Sequence, residues 1–110
     1  MTQEYNKLVR DNIPDVIKKD HKTSGFHVAD EVEYEQKLSE KLKEEVEEFL
    51  AEFSPEELAD VLEVIYTITD LKNIDLEKVE EIRLNKNQKR GSFKKRIILD
   101  VINDQSSDIG

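Results

Sequence analysis

Two long stretches with helical periodicity meet at Ser54-Pro55, and no other feature of the chain constrains its fold as strongly. Apolar residues recur every three or four positions over 31–53, and they cover most of the helix circumference over 55–71. Ser54 suits the N-cap of a helix, Pro55 its first position and Glu57 the third position of a capping box. These signals predict two long helices joined by a tight turn.

Capping signals also delimit the other helices. Asp30 and Glu33 form a capping-box pattern at the start of the first long stretch. Asp75 and Gly91 are residue types expected just before and just after a helix, and Pro14 suits the first turn of a short one. We therefore expect helices over 14–19, 31–53, 55–71 and 75–90.

The fold class predicted from these elements is all-α. Gly and Pro are scarce, with 3 and 2 residues, which argues against an all-β chain. Short peripheral strands are expected near 26–28 and 94–100, with a short helix as the alternative for the segment 92–102. The helix over 55–71 is apolar on nearly every side, so we expect it to be buried in a helical bundle completed by dimerisation. A single domain over 1–102 and a disordered polar tail over 103–110 complete the predicted organisation.

Charge is distributed unevenly along the chain, whose formal net charge is −9. Residues 30–63 contain 14 acidic and 3 basic residues, whereas 83–96 contain 7 basic and no acidic residues. An overall acidic chain disfavours nucleic acid as a partner. An acidic and a basic region together suit a small anionic ligand that binds with a divalent cation, although two solvated helix faces would give the same composition.

Missing features exclude several classes of protein. The chain has no Cys, which rules out disulfide scaffolds, thiolate zinc sites and cysteine nucleophiles. No apolar run approaches the roughly 18 residues of a membrane span. We therefore expect a cytoplasmic protein that does not associate with a membrane.

Two pairs of carboxylates lie at or beside the faces predicted to pack. On a helical wheel Glu45 falls about 20° from Leu38, and Glu48 follows at i+3. Glu57 falls inside the apolar arc of its helix, with Asp60 beside that arc. No Lys or Arg of the two helices lies obviously opposite these acids, so a divalent cation is the simplest compensating charge, and carboxylate ligands select Mg²⁺ or Mn²⁺. Each acid taken singly also fits a solvated helix face.

The acidic pattern resembles a known family signature. Glu44-Glu45-Val46-Glu47-Glu48 followed by Glu57-Leu58-Ala59-Asp60 is similar to the EExxE…ExxD motif of the MazG-like all-α nucleoside triphosphate pyrophosphohydrolases. The segments Lys7-Leu8-Val9-Arg10-Asp11-Asn12-Ile13-Pro14 and 86–93 resemble the small phosphoribosyl-ATP pyrophosphohydrolase-like branch of that family. The connection over 49–56 is shorter than is usual in the wider family.

The resemblance implies an activity and a set of site residues. The family hydrolyses a nucleoside triphosphate between the α- and β-phosphates, which releases a monophosphate and pyrophosphate. Glu45, Glu48, Glu57 and Asp60 would be ligands of Mg²⁺, with Mn²⁺ as a second possibility. Glu48 or Glu44 would accept the proton of the attacking water, although the wheel places Glu44 nearly opposite the apolar stripe.

Basic residues are candidates for contacts with the substrate phosphates. Arg83, Lys86 and Arg90 continue the apolar stripe of the helix over 75–90, so we expect them to face whatever that helix packs on. Cations at a helix C-terminus also interact favourably with its dipole, which is an alternative reason for their position. Lys7 and Arg10 are added as phosphate contacts by the resemblance alone.

Two other functions remain open at this point. The short connection over 49–56 is compatible with a relative that binds metal or nucleotide without turnover. The charged helices are also compatible with an acidic helical dimerisation module. The expected partners are a nucleotide substrate and a second copy of the chain, as a homodimer or a higher homo-oligomer.

Overall fold

The computed structural model describes residues 4–104, and every regular element in that range is a helix. The predicted all-α class is therefore confirmed. The helices are α1 (Ile13–Lys19), α2 (Glu31–Glu52), α3 (Pro55–Leu71) and α4 (Leu76–Arg90).

Side-chain caps set the starts of the three long helices. The Asp30 carboxylate accepts a hydrogen bond from the Glu33 amide at 2.9 Å, which begins α2. The Ser54 hydroxyl accepts one from the Glu57 amide at 3.2 Å, which begins α3. Asp75 caps α4 in the same way. These bonds satisfy backbone donors that have no partner inside the helix, which is why short polar residues mark the helix starts so well.

The turn between α2 and α3 reverses the chain within two residues. Phe53 adopts a left-handed backbone conformation with φ of 52°, and Ser54 returns the chain to an extended conformation. At the far end of the pair, the Lys72 ammonium lies 2.8 Å from the Glu35 carboxylate. The C-terminal end of α3 therefore lies beside the N-terminal part of α2, and the two helices form an antiparallel hairpin.

The core of this hairpin is small. Leu38 of α2 and Val61 and Val64 of α3 are buried, with Leu38 only 2% exposed. Leu58, Leu62 and Tyr66 on α3 remain about half exposed. The expectation that α3 is buried on nearly every side is therefore not met within one chain, because the hairpin covers only the side that faces α2.

The two predicted peripheral strands are wrong. Residues 26–28 and 94–100 contain no strand, and the described range 4–104 has none elsewhere. Phe26 and Val28 are 70% and 90% exposed, and Ile97–Leu99 are 72–80% exposed. A lone extended segment leaves its backbone groups unpaired, so alternating apolar residues do not make a strand without a neighbouring one.

The chain divides into two compact units, Met1–Ile74 and Asp75–Gly110. The first contains α1, α2 and α3, and the second contains α4 and the segment that follows it. No helix in the described part of the chain is long and apolar enough to cross a membrane. Of the tail predicted over 103–110, residues 103–104 have no regular structure and 105–110 lie outside the described residues.

Candidate metal centre

Three of the four predicted metal ligands converge between α2 and α3. Carboxylate oxygens of Glu45, Glu57 and Asp60 all lie within 4.8 Å of one another. Glu45 is 7% exposed, and the other two residues are half-buried. Three carboxylates at this separation repel one another unless a positive charge lies among them, and the repulsion is stronger where water is excluded.

Helix geometry places each of the three acids. Glu45 lies two turns after the buried Leu38, so it shares the face of α2 that packs on α3. Glu57 is the third residue of α3, and Asp60 follows one turn later on the same side. The tight turn before α3 brings this first turn against the C-terminal half of α2.

Two carboxylate oxygens in the cluster are buried without a partner. Oε2 of Glu45 and Oε2 of Glu57 are both enclosed and accept no hydrogen bond. Leaving a buried polar group unpaired costs roughly 1–3 kcal/mol, and more when the group is charged. The capping-box explanation for Glu57 therefore does not account for this oxygen.

The donor set fits a hard divalent cation. Three carboxylates offer only oxygen ligands, and Mg²⁺ and Mn²⁺ prefer such ligands over nitrogen or sulfur. Two residues of the cluster, Glu45 and Glu57, each have a buried unpaired carboxylate oxygen, and a bound cation would satisfy such oxygens. The residues that would hold it are Glu45, Glu57 and Asp60.

Burial raises the pKa of Glu45 above its usual 4.5. The ion pair with Lys41 opposes this rise, and the negative charges of Glu48 and Asp60 add to it. Loss of water is the main cause, because a charged carboxylate is poorly solvated in an enclosed site. A raised pKa means that the folded protein holds the ionised form of Glu45 at an energetic cost.

Two basic residues already lie against the cluster, and one of them, Lys41, corrects the expectation that no Lys or Arg of the two helices would. The Lys41 ammonium is 3.4 Å from Oε1 of Glu45, and the Arg10 guanidinium is 2.8 Å from Oδ1 of Asp60. Lys41 is four residues before Glu45 on α2, a spacing that the sequence displays. Arg10 lies 50 residues before Asp60, so no local pattern predicts that contact.

The other two predicted acids lie outside the cluster. Glu48 is exposed and is not one of the three converging carboxylates, although it follows Glu45 at the same i+3 spacing that separates Glu57 from Asp60. Glu44 is half-buried rather than directed into solvent: its carboxylate lies 3.3 Å from the Lys7 ammonium and 3.8 Å from that of Lys41. The helical wheel missed this because the N-terminal segment covers that side of α2.

The predicted phosphate contacts fall in different places. Lys7 and Arg10 are paired with acids of the first unit, as described above. Arg83, Lys86 and Arg90 lie on α4 in the second unit, and all three are exposed. Arg83 forms an ion pair with Glu80, three residues earlier on the same helix.

Comparisons of the chain with protein-family models, with curated proteins and with solved structures find no match.

Proposed function

We propose that the protein is a Mg²⁺-dependent nucleotide pyrophosphohydrolase. In this proposal it cleaves a nucleoside triphosphate, or a related nucleotide, between the α- and β-phosphates and releases a monophosphate and pyrophosphate. The observation that carries the proposal is the convergence of Glu45, Glu57 and Asp60, two of which hold a buried, unpaired carboxylate oxygen. The proposed reaction comes from the resemblance of residues 44–60 to the EExxE…ExxD motif.

Each acidic residue has a role in the proposed reaction. Glu45, Glu57 and Asp60 hold Mg²⁺, for which Mn²⁺ is the natural substitute. The cation, when bound, supplies positive charge against the triphosphate and lowers the pKa of a coordinated water. Glu48 lies one turn from Glu45 and is exposed, so it would be the first candidate to accept the proton of the attacking water, with Glu44 as the second.

Basic side chains bind the phosphates in this proposal. Arg10 pairs with Asp60 of the carboxylate cluster and Lys7 pairs with Glu44, so each has an acidic partner that a phosphate would replace. Arg83, Lys86 and Arg90 form the second group. An Arg guanidinium offers two parallel donors to a phosphate, and Lys offers a point charge.

The proposal includes a homodimer. Leu58, Leu62 and Tyr66 lie four residues apart along α3 and are 37–50% exposed. An apolar stripe of this kind on a helical hairpin supports a bundle completed by a second hairpin. A cytoplasmic location, with neither nucleic acid nor a membrane as partner, is part of the same proposal, and the net charge of −9 disfavours nucleic acid.

The decisive experiment measures pyrophosphate release from a panel of common and damaged nucleoside triphosphates, with and without Mg²⁺. Pyrophosphate that appears only with Mg²⁺ supports the proposal, and the ranking of the panel identifies the substrate class. Orthophosphate as the product would contradict the proposed bond cleavage. The absence of turnover of any nucleotide, at any Mg²⁺ concentration, would contradict the proposal that the protein is a pyrophosphohydrolase.

A matched pair of variants tests the residues. Glu57→Gln combined with Asp60→Asn keeps the shape of the cluster and removes two charges, so the protein should fold and lose Mg²⁺-dependent turnover. Glu63→Gln removes an exposed charge from the same helix and serves as the control, with turnover unchanged. Equal activity of the double variant and the control would exclude the cluster from the mechanism.

A second candidate function is an acidic helical dimerisation module without a metal. The ion pairs Lys41–Glu45 and Arg10–Asp60 favour it, because they already compensate two of the three acids. The two functions differ in the response to Mg²⁺. A ligand that binds only the folded state raises the melting temperature, so the module predicts no rise and the enzyme predicts one.

A further inference from the structure

Ion pairs between residues far apart in the sequence hold the N-terminal segment 4–12 against the helical hairpin. The Arg10 guanidinium lies 2.8 Å from Oδ1 of Asp60 on α3. The Lys7 ammonium lies 3.3 Å from Oε1 of Glu44 on α2. Two cations of one segment therefore bind acids on two different helices.

A backbone contact adds to this attachment. The Lys37 ammonium of α2 donates a hydrogen bond to the carbonyl oxygen of Asn6 at 2.8 Å. The segment 4–12 has no regular secondary structure before residue 11, and these polar contacts act together with the half-buried Leu8, which lies against α2. Contacts of this kind break one at a time, whereas a helix or strand is lost cooperatively.

One of the contacts is made to a residue of the carboxylate cluster. Asp60 contributes a carboxylate oxygen to the group that could hold a cation. Its Oδ1 also accepts a hydrogen bond from the Arg10 guanidinium. A guanidinium at 2.8 Å neutralises the carboxylate and repels a divalent cation. Arg10 and a metal ion are both positively charged, and both would bind the carboxylate of Asp60.

We propose that the N-terminal segment is a latch that a divalent cation displaces: Arg10 and the cation compete for Asp60. This inference rests on the proposed metal site. By thermodynamic reciprocity, the latch weakens cation binding by the factor by which the cation weakens the latch. In this proposal the Arg10 guanidinium leaves Asp60 when the cation binds.

Exposure decides which of the two ion pairs at the cluster gives way. The side chains of Arg10 and Asp60 are 61% and 40% exposed, and an ion pair in such contact with water is weak. The side chains of Lys41 and Glu45 are 22% and 9% exposed, and both lie on the same helix. The cation therefore replaces Arg10, while Lys41 keeps its place beside Glu45.

The first test measures Mn²⁺ binding by the electron paramagnetic resonance signal of the free ion, without any nucleotide. Arg10→Gln removes the competing charge and should bind Mn²⁺ about three- to tenfold more tightly than the unmodified protein. Lys72→Gln removes the same charge from an ion pair at the other end of the hairpin and should stay within about twofold. Equal or weaker binding by Arg10→Gln would overturn the latch.

The second test follows the latch without a substitution. The side-chain N–H resonances of Arg10, observed by ¹⁵N NMR, should move on addition of Mg²⁺ as the guanidinium leaves the carboxylate. Resonances that do not move at saturating Mg²⁺ would contradict the proposal.

The outcomes separate the latch from the proposed function. If the unmodified protein binds Mn²⁺ and Arg10→Gln binds it no better, the latch is wrong and the metal site stands. If neither protein binds Mn²⁺, the metal site is wrong, and the latch is wrong with it because no cation displaces Arg10. Circular dichroism of both variants shows whether helix content is retained.

Discussion

Two Glu residues, one on α2 and one on α4, each form an ion pair with a basic residue of the same helix, yet their pKa values shift in opposite directions. Glu45 pairs with Lys41 four residues away, and Glu80 pairs with Arg83 three residues away. The pKa of Glu45 is raised, mainly by burial. The pKa of Glu80 is lowered, mainly by its hydrogen bond with Arg83. An ion pair within a helix therefore determines the direction of the pKa shift of its carboxylate only where water reaches that carboxylate.

The difference arises from what each helix packs against. α2 lies against α3, so Glu45 has carboxylates of another helix as neighbours and has lost water. α4 buries none of its residues, and its ion pairs Lys78–Glu81 and Glu80–Arg83 lie within the helix. A carboxylate with unpaired oxygens is typical of a ligand site, whereas an exposed, paired one is typical of a helix surface. The comparison points to the hairpin, and not to α4, as the place for a metal.

The largest expected effect is on the free energy of unfolding, and it contrasts a buried residue of α2 with a partly exposed residue of α4. Leu38→Ala removes a side chain that is 2% exposed and should lower the free energy of unfolding by about 2–5 kcal/mol. Ile82→Ala on α4, at 45% exposure, should cost less than about 1 kcal/mol. Urea unfolding of each variant measures both values. Equal losses would contradict the view that only the α2–α3 hairpin has a core.

The next effect concerns the metal. Mg²⁺ at about 100 times its dissociation constant should stabilise the unmodified protein by about 2.7 kcal/mol. Glu45→Gln removes a ligand charge and should abolish most of that gain, because a neutral amide is a poor ligand for Mg²⁺. Glu80→Gln is the matched control and should keep the full gain. Thermal melts with and without Mg²⁺ measure the difference, and a full gain in Glu45→Gln would contradict the site.

A smaller effect is a pH dependence of the metal-free protein. The folded-state pKa of Glu45 lies above its unfolded value near 4.5, so the folded state binds the proton more tightly. Its contribution to stability is therefore fully present below pH 4.5 and is lost as the pH rises through the raised folded pKa. Glu45→Gln does not titrate there, so the stability difference between the variant and the unmodified protein should grow in favour of the variant across that interval. Urea titrations at several pH values in EDTA measure it, and a constant difference would contradict the raised pKa.

The smallest effect belongs to Glu80. Its lowered pKa gives a contribution to stability that is present above its unfolded value near 4.5 and is lost as the pH falls through the folded pKa. Because Glu80 and Arg83 are both exposed, Glu80→Gln should leave the melting temperature at neutral pH unchanged within error. A clear drop would show that α4 has a partner that brings this pair out of water.

Much of the fold follows from local signals. The caps at Asp30, Ser54 and Asp75 were predicted from residue types, and each makes the expected side-chain hydrogen bond. The strands near 26–28 and 94–100 were predicted from apolar residues and are absent from the described chain. A helix satisfies its backbone within one segment, whereas a strand needs a partner that no local pattern identifies.

The site was only partly predictable for the same reason. Helix periodicity placed Glu45, Glu57 and Asp60 on or beside faces predicted to pack, and their carboxylates converge. Glu48 was predicted as a ligand and lies outside the group. The contact of Arg10 with Asp60 was not predicted, because nothing in the sequence brings residues 50 positions apart together.

The sequence by itself determined the helices, their ends and the acidic faces of α2 and α3, because capping and periodicity act over three or four residues. Only the tertiary structure decided which carboxylates meet, which oxygens lose their partners and which cation lies against Asp60. Those outcomes depend on the packing of one helix on another and on the exclusion of water, and both are properties of contacts between distant parts of the chain.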